Sequence, residues 1–425
     1  MTIDRRYFLA GGVSLAGAGL LSAPAVLGQG KPRVVVIGGG PGGATAAKYI
    51  ARDSKGAIDV TLVEPAKQFV TCFHSNLYLG DFRDLASITH SYDKLASAYG
   101  VRLNHQMAAA IDREKKQVVL ADGSRISYDR LILSPGIDLK YESVPGWGRE
   151  HEETMPHAWK AGAQTVLLRK RLAAVPDGGL IVMIAPPNPY RCPPGPYERA
   201  SMMAHVLKST GRKNAKIIIL DPKTSFSKQG LFQEGWEKYY PGMVEWLGPG
   251  IHDGVKSVDP KTSTVITGFE TYRNAALVNV IPAQTAGAVA IKAGLANQTG
   301  FCPILPESMK SANDANIYIL GDSSIAGDMP KSGFSANSQA KVAAMSVRGE
   351  LTNARVFPAR YANTCWSLIA PDDAVKVGGS YSAKDGRIAT ITPFISKTAE
   401  PADLRKQTQE ENMGWYEGIT ADIFG

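Results

Sequence analysis

A strand, a glycine cluster and a helix in immediate succession constrain this chain more than any other feature. Arg33-Val-Val-Val-Ile37 is a short apolar run of the kind a buried parallel strand needs, and Gly38, Gly40 and Gly43 follow it in GxGxxG spacing. The small, helix-forming Ala44-Thr-Ala-Ala47 comes next. Glycines permit a tight turn and let the backbone approach a pyrophosphate, which then sits on a helix N-terminus where free N–H groups and the helix dipole favour negative charge. A second strand, Asp59–Val63, ends at Glu64, about 20 residues beyond the glycines, where a carboxylate accepts ribose hydroxyls. Strand, glycines, helix, strand and acid together specify an ADP-binding βαβ unit.

The rest of the chain must accommodate that unit. Its 425 residues allow two or three domains at roughly 100 to 200 residues each. With 44% hydrophobic and 20% charged residues the composition is that of a globular protein, neither disordered nor collagen-like. The four cysteines, at 72, 192, 302 and 365, are too few for a disulfide-dense scaffold and fall in no CxxC or CxxCH spacing. None of the seven histidines has metal-ligand spacing with another His or Cys, so no metal site is expected. From the residues alone, Cys72 is a small buried hydrophobe, and in an oxidising compartment two of the four cysteines can be disulfide-bonded.

Residues 1–30 resemble a twin-arginine export signal: Arg5 and Arg6 precede a Gly/Ala-rich apolar stretch that ends in small residues before Lys31. This predicts a periplasmic mature protein that folds around its cofactor before export, with no integral membrane segment. Removing Asp4, Arg5 and Arg6 takes the formal charge from +8 to +7. That diffuse excess suits an anionic substrate or an acidic partner, and no motif favours nucleic acid.

Two further segments select the nucleotide. Tyr128–Leu133 is a strand running into Ser134-Pro135-Gly136, and Ala315–Leu320 is a strand ending in Gly321-Asp322. The first resembles the segment that closes the FAD domain of two-dinucleotide-domain flavoproteins, and the second the signature whose Asp holds the ribityl chain. In this order they imply FAD. A second βαβ unit starts near Gly178–Ile184, but the loop after its strand carries six prolines between residues 185 and 196. Proline removes the N–H donors that a pyrophosphate needs, so NAD(P)H is not expected there. The expected organisation is α/β: a FAD-binding domain from 31–165 and 301–350, a second Rossmann-like domain over 166–300 without its NAD site, and a C-terminal α+β interface domain over 351–425.

Thr71-Cys72-Phe73-His74-Ser75-Asn76, the loop Tyr190–Ser201 around Cys192, Phe226-Ser-Lys-Gln229, Met329–Gln339, Asn363-Thr-Cys365 and Asp422–Gly425 resemble the flavoprotein subunit of flavocytochrome c sulfide dehydrogenase. The resemblance implies FAD joined to Cys72 through a thioether. It also implies a redox disulfide between Cys192 and Cys365, an acid/base carboxylate at Glu198 and an aromatic near the flavin at Trp415. The implied reaction is attack of hydrosulfide on that disulfide, with Cys365 as the flavin-side sulfur, and transfer of electrons to a c-type cytochrome subunit that alone carries haem c. Cys302 has no partner left and is read as buried and inert, and His74 as a supporting hydrogen-bond group. Sulfide:quinone and NADH:quinone oxidoreductases are the alternative. They need amphipathic C-terminal helices that enter the bilayer, whereas Glu400–Gly414 is polar.

Overall fold

Four short apolar runs build the centre of the first sheet. The computed structural model describes residues 30–425; the export signal read at residues 1–30 lies, but for Gly30, outside them. Strands β1 (Arg33–Ile37), β2 (Asp59–Val63), β3 (Arg102–Asn104) and β4 (Arg130–Leu133) pair in parallel in the order β4-β1-β2-β3. Val35, Ile37, Leu131 and Leu133 enter one apolar cluster, while Val34, Val36, Leu62 and Ile132 enter another. Burial on both faces explains why these strands are continuous apolar runs rather than alternating ones. Helix α1 (Pro41–Asp53) links β1 to β2, and the short α2 (Ser75–Leu79) follows β2. Strand β4 starts at Arg130, two residues later than expected, because the Tyr128 N–H is already donated to the Lys116 carbonyl of a neighbouring ribbon at 2.9 Å.

The second parallel sheet repeats the plan. Strands β5 (Leu180–Ile184), β6 (Lys216–Leu220), β7 (Val244–Leu247) and β8 (Leu277–Val280) lie in the order β7-β6-β5-β8. Helices α3 (Gly195–Ser209) and α4 (Gln229–Tyr239) form its connections. Helix α3 begins two residues before the expected Tyr197, since the fixed φ of Pro194 and Pro196 suits a first helical turn.

The chain then returns to the first sheet. Strands β9 (Cys302–Leu305), β10 (Lys310–Ser311), β11 (Asp314–Ile319) and β12 (Ser324–Ile325) extend it to eight strands in the order β12-β9-β10-β11-β4-β1-β2-β3. Helix α5 (Gly333–Thr352) packs along α1. An antiparallel sheet of β13 (Arg360–Ala370), β14 (Asp373–Lys384) and β15 (Arg387–Ile395) follows, and then α6 (Ala402–Phe424). Strand β13 lies against α3 and α5, and α6 covers β14. The polar stretch Glu400–Gly414 forms the first half of α6, where Arg405 is buried among Glu234, Asp373 and Glu400.

Candidate functional site

The βαβ glycines leave a space beside the end of β1. A side chain at Gly38, whose φ is +96°, would overlap the Ser134 carbonyl oxygen, and a Cβ at Gly42 would stand 2.6 Å from Ser134 Oγ. Gly43 presses α1 onto the Gly38 carbonyl in the same way, which is the close helix–strand packing that the third glycine of the motif provides. A cavity of about 360 Å³ opens there, and Gly38, Gly40, Glu64, Cys72, Gly321 and Asp322 all line it. The Glu64 carboxylate accepts the Gly39 and Ala66 N–H groups at 2.8 and 2.9 Å, so the loop is pinned to the acid at the end of β2.

These residues fit FAD on two observations. The cradle at Gly38 and Gly42 keeps backbone, not side chain, against the cavity, while a Cβ at Gly40 would meet nothing closer than 3.5 Å. The second is Asp322: its Oδ1 is buried without a hydrogen-bond partner, an acceptor in the cavity wall that a ribityl hydroxyl would satisfy. Burial pushes the Asp322 carboxyl up, opposed by Arg191 and Lys331. Arg191 stands 3.8 Å from Asp322 and lines the same cavity. Lys331 donates to the Asp322 and Ser324 carbonyls at 2.8 and 2.7 Å and is pulled down to about 8 by burial.

The loop between β5 and α3 carries the second group. Cys192 adopts a left-handed conformation at φ 59°. Its N–H donates to the Lys331 carbonyl, and its own carbonyl accepts from Gly195, both at 2.8 Å. Cys365 lies in mid-β13, where Asn363 Nδ2 donates to its sulfur at 3.4 Å. Asn363 in turn accepts from Ser332, the N-cap of α5 and a cavity residue. All four cysteines are free thiols in this structure. Burial pushes Cys192 well up, and the charges of Cys365, Glu198 and Cys72 add to that, so Cys192 senses all three. Burial also raises Cys365, opposed by Asn363 and Lys228, and raises Cys72, opposed by Arg191.

Glu198, on the first turn of α3, is buried. Its Oε2 accepts from Asn76 Nδ2 at 2.8 Å, and its Oε1 from the Leu368 N–H of β13 at 3.0 Å. Burial raises its pKa although those two bonds and Lys228 oppose the shift. A carboxyl whose pKa is raised by burial is suited to proton exchange at adjacent sulfurs. Arg199, 2% exposed, fixes the surround: it donates to Asn76 Oδ1, the His157 and Ala158 carbonyls and Asn279 Oδ1.

The fold thus brings Cys72, Cys192, Cys365, Glu198, Gly321 and Asp322 to one region. Trp415 does not line the cavity. It packs on Phe73, next to Cys72, at 5.6 Å between ring centroids, and on Trp366 at 5.0 Å. His74 is buried and stacked on Tyr416 at 4.3 Å. Its Nε2 hydrogen-bonds to Asn412, and burial drives it down to about 3. Cys302 is fully buried, and burial takes its thiol to about 11. The sequence assigned no role to Arg191, Lys228, Lys331, Ser332, Asn76 or Asn363, although each stands inside a segment whose resemblance was noted.

The second glycine-loop position is filled. Asp221, where β6 ends, is 0% exposed and accepts from Tyr197 OH at 2.5 Å, Trp246 Nε1 at 2.9 Å and Lys223 Nζ at 2.7 Å. Tyr197 stacks on Phe226 at 3.7 Å. The acid that would meet a ribose is therefore bound by the protein itself.

Comparison with known proteins gives matches to several families. The family model for the central part of the sulfide dehydrogenase (flavocytochrome c) flavoprotein chain matches residues 165–282. The flavin-binding model of flavocytochrome c sulphide dehydrogenase matches 357–424, and a pyridine nucleotide-disulphide oxidoreductase model matches 32–175. A short sulfide dehydrogenase (flavocytochrome c) flavoprotein sequence from Chlorobaculum thiosulfatiphilum is 60% identical over 47 residues, 11% of this chain and 96% of that one. Mouse mitochondrial sulfide:quinone oxidoreductase is 23% identical over 68% of this chain, and the match spans 65% of its length, just under two thirds. Among solved structures, sulfide:quinone oxidoreductase from Aquifex aeolicus superimposes with a TM-score of 0.73 at 18% identity, covering 92% of this chain and 91% of that one.

Proposed function

The chain belongs to the sulfide dehydrogenase (flavocytochrome c) flavoprotein family and is a flavin-dependent oxidoreductase; from that premise we propose that it oxidises hydrosulfide at Cys192 and Cys365 and passes the electrons to a c-type cytochrome in the periplasm. The observation that carries this reading is the meeting of Cys192, Cys365 and Glu198 beside the cavity that Cys72 and Asp322 line.

In the oxidised pair, hydrosulfide attacks one sulfur of the Cys192–Cys365 bond. That S–S bond breaks, an S–S bond to the incoming sulfur forms, and the bonding pair leaves on the other cysteine as thiolate. A second hydrosulfide removes the outer sulfur as HSS⁻ and leaves both cysteine sulfurs reduced. Re-forming their disulfide releases two electrons, so the cycle balances as two HS⁻ giving HSS⁻, one proton and two electrons. Glu198 is placed to take that proton. FAD, when bound by Gly38, Gly40, Glu64, Gly321 and Asp322, supplies the two-electron acceptor, and Cys72 is the residue that would carry it covalently.

The full-length relatives raise sulfide:quinone chemistry as a second reading. The outward side of α6 supports the cytochrome: Asp403, Lys406, Gln407, Glu410 and Glu417 are exposed there, with Leu404 the one large exposed apolar side chain. Among the described residues no helix is long and apolar enough to cross a membrane. Anaerobic titration with sulfide, followed at the flavin absorption band, tests the chemistry. Bleaching is expected in the wild type and not in Cys192→Ser; a wild type that stays yellow overturns the reading. Reoxidation by a c-type cytochrome but not by a short-chain quinone separates the acceptors. Colour retained on the acid-precipitated pellet tests the Cys72 link.

A further inference from the structure

Lys228 is a buried cation without an anion. It is 5% exposed, and its backbone takes the left-handed conformation, φ 64°, at the N-terminus of α4. That turn sends the side chain inward to β13 and β14. There Nζ donates to the Cys365 carbonyl at 3.1 Å, Ser367 Oγ at 2.8 Å and the Val375 carbonyl at 3.4 Å. Three N–H donors thus meet three neutral acceptors. Among the described residues no ion pair involves Lys228. Glu198 is the nearest acid by its influence, yet its two oxygens are occupied by Asn76 and Leu368. A buried ammonium that lacks a counter-charge is costly, and burial duly pulls Lys228 down to about 8, with Cys365, Glu198 and Cys192 acting the other way. Those three are the titratable groups that face it from β13, α3 and the Cys192 loop, and Phe232 of α4 contributes only its ring at 5.7 Å.

The proposed reaction creates the missing anion. Each hydrosulfide brings one negative charge into the sulfur pair, and opening the disulfide transfers that charge to a cysteine sulfur. We infer that Lys228 is the positioning residue that holds this charge, acting through the Cys365 backbone and its own fixed ammonium rather than by touching the sulfur. The helix α4 N-terminus adds the same sign of field. The other charged or titratable groups that face the two sulfurs, Glu198, Cys72, Arg199, Tyr190 and Tyr381, include one further cation, Arg199. That guanidinium is committed to four oxygen acceptors, on Asn76, His157, Ala158 and Asn279.

This inference rests on the reading of Cys192 and Cys365 as the reactive pair, but its test uses neither sulfide nor an electron acceptor. The reduced holoprotein is alkylated with iodoacetamide across a pH series, and modification of Cys192 and Cys365 is counted by peptide mass spectrometry. In Lys228→Met the midpoint for Cys365 rises by at least about one pH unit, so alkylation below both midpoints slows at least about tenfold. Lys228→Arg restores the wild-type midpoint. Lys228→Gln, which keeps a donor for Ser367 while losing the charge, behaves as the Met variant and serves where that variant does not fold. An unchanged midpoint in either neutral variant, or a rise in Lys228→Arg equal to that in Lys228→Met, overturns the assignment. A wild type that fails to bleach with sulfide overturns the parent reading instead.

Discussion

The two parallel sheets start from the same βαβ plan and end with opposite interiors. In the first, β1 runs into glycines, the helix N-terminus faces open space, and Asp322 keeps a buried oxygen without a partner. In the second, β5 runs into prolines, and the acid at the end of β6 is saturated by Tyr197, Trp246 and Lys223. A strand-turn-helix unit is therefore not in itself a nucleotide site. What makes it one is unsatisfied hydrogen-bonding capacity beside room for a ligand, and the second unit has given up both while placing Cys192 at the vacated turn.

The largest effect expected from breaking this contrast is at the sulfurs. Cys192→Ser or Cys365→Ser should lower sulfide-dependent flavin reduction by about 10³-fold or more in stopped-flow measurements, as removal of a covalent nucleophile does. Next, Gly38→Val adds a side chain where the Ser134 carbonyl already sits. It should cost about 3 kcal/mol in thermal unfolding and abolish flavin retention. The acids should separate more finely. Asp221→Ala removes the acceptor of Tyr197 Oη, Trp246 Nε1 and the Lys223 N–H, and the counter-charge of the Lys223 ammonium, and should destabilise by about 3 kcal/mol without changing the flavin content per folded molecule. Glu64→Ala, nearer the surface, should instead reduce flavin content with the smaller stability loss. A flavin content that falls equally in both variants would erase the proposed difference between the two folds.

A separate effect is set by pH. His74 and His157 are buried and driven down to about 3, while an unfolded histidine titrates near 6.5. Between those values the unfolded chain binds the extra protons, so stability falls as pH drops below about 6.5. Each histidine contributes a slope of up to about 1.4 kcal/mol per pH unit. Denaturant midpoints at pH 7 and pH 5 should differ accordingly, and His157→Gln should flatten the difference.

Local chemistry was legible wherever neighbours in sequence act together. The glycines after Arg33–Ile37, Glu64 after Asp59–Val63 and Gly321-Asp322 after Ala315–Leu320 each end a strand in a turn, and these turn residues line one cavity. The proline loop before α3 was legible for the same reason. Lys228 was not, because its meaning depends on a contact 137 residues away with Cys365, and nothing in Phe226-Ser-Lys-Gln229 discloses that its carbonyl partners are neutral. Cys192 and Cys365 were paired by the family resemblance alone, since a separation of 173 residues discloses no contact. Lys228 and Glu198 are buried near them, which supports the reactive reading proposed above. Trp415 stands one aromatic layer outside the cavity, a position that only the path of α6 determines.

That path has a kinetic side. Tyr416 of α6 accepts or donates hydrogen bonds with Thr71 and His90, and Asp422 binds Tyr49, Asn337 and Lys341, so the last helix locks the first βαβ unit from behind. Contacts closed over such distances along the chain form late and slowly. The backing of the loop that carries Cys72 is thus completed only when α6 has docked on it. A chain stalled before α6 should therefore retain less flavin.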